Sequence, residues 1–127
     1  MIRSVLVAVD GSEPGERAVD LASGIAAKCD AALTLLHVQA HPAHGGVPKN
    51  LEDYVRIEDV ELTQAEMMQQ AREELLRRAE ARAREAGAQT VSTALEIGDP
   101  AGIIAEYAKT NAVDLIVMGR RGLGAIG

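Results

Sequence analysis

The length of 127 residues suits one domain, and 47% apolar with 25% charged residues is the composition of a folded globular protein. The net charge of −6 argues against a nonspecific nucleic-acid binder, and no apolar run approaches the length of a membrane span. Phe and Trp are absent, so the core has to be aliphatic, as in sheets that are buried on both faces. A single cysteine, Cys29, excludes an internal disulfide, and the chain starts without a signal-peptide layout, which together predict a cytoplasmic protein.

The first third of the chain predicts a strand, a helix and a second strand. Residues 4–9 form an apolar run that stops before Asp10, as a buried strand does. Ser12 is a good N-cap for a helix over residues 13–29, and residues 32–38 form the next buried strand. The predicted buried face of the helix, spaced by three and four residues, comprises Ala18, Leu21, Ala22, Ile25, Ala26 and Cys29.

The rest of the chain continues the alternation after a loop rich in Gly, Pro and His over residues 39–50. A long helix is predicted over residues 59–86, and a less buried edge strand over residues 90–97. Asp99 is the predicted N-cap of a third helix, and residues 114–118 form a fourth strand. The predicted inner face of the long helix comprises Met68, Ala71, Leu75, Ala79, Ala83 and Ala86.

Strands that alternate with helices predict an α/β fold, a doubly wound parallel sheet with right-handed crossovers and helices on both faces. Such sheets bind ligands outside the carboxyl ends of the strands, where the strand order reverses. Three features of the sequence fall at those ends, namely Asp10 with the glycine and serine that follow it, Val38 with its loop, and residues 118–122.

The run after the fourth strand, residues 119–127, is rich in glycine and contains Arg120 and Arg121. Glycines allow the backbone to present N–H groups to an anion, and arginines add forked donors for phosphate. The run is neither a P-loop, because no GK[ST] follows, nor a dinucleotide fingerprint, which belongs after the first strand. Phosphate binding and an ordinary turn both remain open for it on this evidence.

Other polar residues have a functional and a structural interpretation. Asp10 is predicted to accept hydrogen bonds from ribose hydroxyls, and the alternative is that it only caps the strand-to-helix turn. Ser12 is interpreted as an N-cap rather than a ligand contact. His41 and His44 form an H-x-x-H pair without the further ligands of a zinc site, and His37 is interpreted as a structural histidine with a satisfied hydrogen bond.

Four segments carry a resemblance to a known family. The first strand ends V-x-V-D-G-S, the second ends L-L-H-V, G-D-P precedes the third helix, and D-L-I-V-M-G-R-R-G follows it. In this order and spacing they resemble the universal stress protein family. The resemblance implies a parallel sheet of order 3-2-1-4-5, frequent dimerisation and, in one branch, ATP binding through the signature G-x2-G-x9-G-[ST].

The resemblance also implies a binding site and an incomplete end. Gly119 and Gly122 match the first half of the signature, and the second half would fall beyond Gly127. The expectation is therefore a single domain over residues 1–127 that lacks a C-terminal helix and fifth strand, with an apolar edge left at strand four. The implied nucleotide-binding residues, with no catalytic or metal-ligating residue among them, are Ala8, Val9, Asp10, Val38, Met118, Gly119, Arg120, Arg121 and Gly122.

The function that follows is a cytoplasmic stress-response or regulatory protein that binds ATP, with or without Mg²⁺, and forms a homodimer. One alternative is a member of the same family that binds no nucleotide and acts as an interaction module. Another is an enzyme, an ATPase or a nucleotidyl-transfer domain, although no base, nucleophile and metal cluster stands out. A phosphoacceptor receiver domain fits less well, because the first strand ends in a single aspartate, Asp10.

Overall fold

A computed structural model describes residues 1–40 and 58–119, with side chains for all of them except residues 58–65. The described elements follow the predicted order, and the loop positions 41–57, including His41 and His44, lie outside the described residues. The elements are β1 (Ser4–Ala8), α1 (Glu13–Cys29), β2 (Ala32–Gln39), α2 (Glu58–Glu85), β3 (Thr90–Ile97), α3 (Pro100–Thr110) and β4 (Leu115–Val117).

The four strands form one parallel sheet of order β3-β2-β1-β4, which confirms the predicted fold class. Val7 of β1 lies between Leu35 of β2 and Val117 of β4 in the register. The chain moves outward from β1 through β2 to β3, then crosses to the other side of β1 to form β4. The strand order therefore reverses between β1 and β4, and among the described strands β3 lies at an edge, as predicted.

Helices cover both faces of the sheet, and each face has its own aliphatic core. On one face α1 and α2 pack over strand residues that are fully buried, such as Val5 and Leu35. On the other face α3 packs over Leu6 and Leu36 through Ile104. Burial on both faces explains why β1 reads as a continuous apolar run rather than as an alternating pattern.

The helix ends are where local chemistry predicts them. The Oγ atom of Ser12 accepts a hydrogen bond from the backbone N–H of Gly15 at 3.2 Å. Oδ2 of Asp99 accepts one from the N–H of Gly102 at 3.0 Å, which caps α3 in the same way. Gly87 follows α2 with φ +111°, a conformation that favours glycine. The predicted N-caps Ser12 and Asp99 are therefore confirmed.

The predicted buried face of α1 is wrong at two positions. Leu21 is 59% exposed and Cys29 is exposed, although Ala18, Ala22 and Ala26 are buried as predicted. The face that contacts the sheet is rotated toward Gly15, Val19 and Ser23. Small residues dominate this face, which allows the helix to lie close to the strands and turns the bulkier Leu21 away. The buried residues of α1 are Gly15, Ala18, Val19, Ala22, Ser23 and Ala26.

The predicted inner face of α2 holds only in its second half. Met68 is 48% exposed, and Ala71 and Ala86 are also exposed, whereas Ala79 and Ala83 are buried as predicted. Length explains the exposure of Met68 and Ala71, because the 28 residues of α2 span about 42 Å and a strand of eight residues spans about 26 Å. The first turns of α2 therefore extend past the sheet. Ala86 directly follows the last residue of the helix.

Two exposed carboxylates tie neighbouring elements together. Asp20 of α1 accepts two hydrogen bonds from the Arg82 guanidinium of α2, at 2.8 and 2.9 Å, and these bonds hold the pKa of Asp20 below its usual value. Asp114 accepts the backbone N–H groups of Arg3 at 2.8 Å and Ser4 at 3.1 Å, which lowers the pKa of Asp114. The second carboxylate joins the start of β1 to the start of β4.

Candidate functional site

The exit of β1 is held by β2 beyond the last paired residue of the strand. The N–H of Val9 donates to the carbonyl of Leu36 at 2.8 Å. The carbonyl of Val9 lies 2.7 Å from Nδ1 of His37, and because a carbonyl only accepts, Nδ1 carries the proton. His37 is thus a hydrogen-bonded structural histidine, as predicted. Both polar groups of the Val9 backbone are fixed at the point where Asp10 begins.

Asp10 is exposed and lies over the first turn of α1. Its Oδ1 atom accepts hydrogen bonds from the N–H of Ser12 at 2.9 Å and from the Oγ of Ser12 at 2.6 Å. The absence of a side chain at Gly15 makes room for the carboxylate, since a Cβ there would lie 2.5 Å from Oδ1. A negative charge at a helix N-terminus is favourable, so the capping role considered for Asp10 is present.

The exit of β4 approaches the same turn of α1. A Cβ added to Gly119 would lie 2.9 Å from the carbonyl carbon of Pro14 and 3.0 Å from the backbone nitrogen of Gly15. Only a glycine fits this close approach of two backbones. The ends of β1 and β4 and the start of α1 therefore meet at the point where the strand order reverses.

The structure describes six of the nine predicted nucleotide-binding residues. Val9 is 6% exposed, Ala8 and Val38 are half-buried against the α3 face of the core, and Met118 is 53% exposed. Val38 lies at the carboxyl end of β2, the strand next to β1. The remaining predicted residues, which lie outside the described part of the chain, are Arg120, Arg121 and Gly122.

A cavity of about 610 Å³ lies between α1 and α2, on one side of this meeting point. Its lining includes Val9, which is also a predicted site residue, and Leu75. Its charged walls pair among themselves, for example Arg78 with Glu74 at 2.9 Å. The cavity offers an apolar floor rather than a convergence of groups suited to a nucleotide, so the carboxyl ends of β1 and β4 are the better candidate.

Two features of the site escaped sequence reasoning. The bond from His37 to Val9 joins residues of different strands, and no spacing rule brings them together. The position of the Asp10 carboxylate above Gly15 depends on how the chain turns at Gly11, whose φ is +81°.

In the described ranges no group of three His, Cys, Asp or Glu residues is placed to hold a metal ion, and no helix is long and apolar enough to cross a membrane.

Comparison with known proteins assigns the chain to a family. A sequence model of the universal stress protein family matches residues 1–127. The chain is 34% identical over 125 residues to a Staphylococcus epidermidis protein named as a universal stress protein, covering 98% of this chain and 69% of that one.

Solved structures agree with that match. A universal stress protein family member from Burkholderia pseudomallei is 27% identical with a TM-score of 0.64, covering 96% of this chain and 84% of its own. A universal stress protein in complex with cAMP is 26% identical with a TM-score of 0.60, covering 90% and 69% respectively. The sheet order, the glycine at the exit of β4 and these matches agree, and the chain belongs to the universal stress protein family.

Proposed function

We propose that this protein binds an adenine nucleotide, with ATP as the preferred ligand, where the sheet order reverses between β1 and β4. The observation that carries the proposal is the close approach of Gly119 to the first turn of α1, beside the Asp10 carboxylate. It brings an acidic group suited to a ribose next to the start of a glycine-rich run suited to phosphates. A related protein in complex with cAMP, which shares adenine, ribose and phosphate with ATP, supports the choice of ligand.

Each part of the nucleotide has a proposed partner. Ala8 and Val38 supply apolar surface for the adenine, next to Val9, whose backbone N–H and carbonyl are already bonded to Leu36 and His37. The Asp10 carboxylate accepts the ribose hydroxyls, since it is exposed at the exit of β1 and an ionised carboxylate is a hydrogen-bond acceptor. The phosphates bind to the backbone that follows Met118 and to the predicted residues Arg120, Arg121 and Gly122. Mg²⁺ enters the site already bound to the phosphates.

The proposed role is regulatory binding in the cytoplasm rather than catalysis. A bound nucleotide changes the surface that partner proteins meet at the carboxyl ends of β1 and β4. The alternative is an interaction module that binds no nucleotide. The bonds from Ser12 to Asp10 at the start of α1 are compatible with it, because a capping carboxylate needs no ligand.

Millimolar ATP should raise the melting temperature of the protein by several degrees. A ligand at about 100 times its dissociation constant stabilises the folded state by about 2.7 kcal/mol, and that is a clear shift for a chain of this size. Differential scanning fluorimetry with ATP, adenosine and GTP measures it. GTP is the matched control for charge, so equal shifts with ATP and GTP would indicate a phosphate site without adenine recognition. No shift with any nucleotide would favour the interaction module.

We also propose that the protein forms a homodimer through the β4 edge of the sheet. Among the described residues β4 pairs only with β1, and Ile116 of β4 and Met118 directly after it are 40% and 53% exposed. Edge strands with apolar side chains recruit other chains, and a lysine on such an edge prevents pairing. Ile116→Lys should therefore shift the mass measured by light scattering toward the monomer. Leu21→Lys adds the same charge at an exposed leucine of α1 and should leave the mass unchanged, whereas monomeric wild type would contradict the proposal.

A further inference from the structure

We propose that His37 is a positioning residue for the nucleotide site, and this inference rests on the proposed function. His37 donates from Nδ1 to the carbonyl of Val9 at 2.7 Å, and the N–H of Val9 donates to the Leu36 carbonyl at 2.8 Å. The peptide that joins Val9 to Asp10 is therefore fixed by an imidazole from the neighbouring strand. His37 would act through this peptide and not by touching the nucleotide.

The hydrogen bond from His37 to the Val9 carbonyl can position Asp10 because of where it lies in the sheet. Regular pairing of β1 with β4 ends at Val7 and Val117, and pairing with β2 ends at Ala8 and Leu36. The peptide after Val9 therefore lies beyond the strand ladder, where its orientation depends on individual hydrogen bonds. Rotation of this peptide moves its carbonyl and the following N–H together, and it carries the Asp10 side chain with it.

Burial makes the bond costly to lose. Val9 is only 6% exposed, so a Val9 carbonyl without its imidazole donor would have to turn toward another donor or toward water. Such a turn would shift Asp10 relative to Ser12 and to the backbone of Gly119, which together form the centre of the proposed site. Shifts of this size reduce affinity when a site depends on preformed geometry.

Ser23 provides a matched structural control. It is fully buried, and its Oγ donates to the carbonyl of Val19 at 2.6 Å within α1. Like His37 it is a side chain that satisfies a backbone carbonyl, but its bond lies within α1 and not at the exit of a strand. Ser23→Ala therefore reports what the loss of a buried hydrogen bond does to stability alone.

The test compares four single variants by calorimetric titration with adenosine and by thermal melting. His37→Leu and His37→Gln should bind adenosine about tenfold more weakly than wild type, because neither places a donor at the Nδ1 position. His37→Asn places its amide nitrogen near that position and should bind within about twofold of wild type. Ser23→Ala should lower the melting temperature without changing the affinity. The pair of amide variants keeps the comparison valid if His37→Leu does not fold.

A double variant separates positioning from a general structural role. If His37 acts through Asp10, His37→Gln should have little further effect on adenosine affinity in an Asp10→Asn background. The full loss in that background, or wild-type affinity for both His37→Gln and His37→Leu, would overturn the inference while the nucleotide site stands. Wild-type protein that binds neither adenosine nor ATP would overturn the proposed function, and this inference with it.

Discussion

Replacing Gly119 with alanine should lower the stability of the fold and weaken nucleotide binding in one step. The new Cβ would lie 2.9 Å from the carbonyl carbon and 3.0 Å from the carbonyl oxygen of Pro14, and 3.0 Å from the nitrogen of Gly15. All three atoms belong to the backbone of a helix end that cannot yield as a flexible side chain does. Overpacking of this kind costs about 1–3 kcal/mol, which thermal melting detects readily. The displaced β4 exit should reduce ATP and adenosine affinity by about tenfold or more.

Gly24→Ala is the matched control for Gly119→Ala. Gly24 lies within α1, and a Cβ added there would meet no atom within 4 Å. Alanine in a helix interior is favoured over glycine by about 0.5–1 kcal/mol, so this variant should melt slightly higher than wild type and bind nucleotide equally well. Wild-type stability and affinity for Gly119→Ala would mean that the β4 exit does not depend on its approach to α1.

The order of the elements and their ends were predictable because local chemistry determines them. Ser12 and Asp99 cap their helices with bonds to residues three positions away, so the information lies within one turn of the chain. The two central strands β1 and β2 are equally explicit, since burial on both faces leaves mainly apolar runs. The order of the sheet followed from the family resemblance, which supplied the long-range information that local patterns lack.

The errors occurred where packing, and not periodicity, selects the buried face. Leu21 and Cys29 satisfy the helical spacing in α1, yet the sheet lies against the neighbouring stripe of smaller residues. Ser23 is part of that stripe and was not predicted to be buried, because burying a hydroxyl without a hydrogen bond costs free energy. Its bond to the Val19 carbonyl removes the cost within the same helix.

The location of the candidate site was predictable from the sequence, but its detailed geometry was not. The reversal of strand order indicates which strand ends meet, and Asp10 and Gly119 fall there in the structure. The hydrogen bond from His37 and the space above Gly15 depend on contacts between segments that are far apart in sequence. Such contacts leave no periodic signal in a single sequence.

Asp10 has one observed role and one proposed role, and a single substitution can separate them. Its Oδ1 atom holds the turn into α1 through Ser12, and its carboxylate is the proposed acceptor for the ribose hydroxyls. Asparagine retains a carbonyl oxygen for the turn, as asparagine does in many such turns, but it replaces the other carboxylate oxygen with an amide donor. Asp10→Asn should therefore melt near wild type, and alanine, which has neither group, should melt lower.

The affinities then decide between a capping residue and a ribose contact. A hydrogen bond to a charged group contributes about 1.5–3 kcal/mol, so Asp10→Asn should weaken adenosine and ATP alike by roughly 10-fold to 150-fold. Ser12→Ala removes the hydroxyl that bonds both Asp10 and the N–H of Gly15, so it should lower the melting temperature by the loss of a cap and leave affinity within a few-fold of wild type. Calorimetric titration of both variants with both ligands makes the comparison. If Asp10→Asn binds adenosine as wild type does while Asp10→Ala only melts lower, Asp10 is a capping residue, and the ribose must be recognised elsewhere at the ends of β1 and β4.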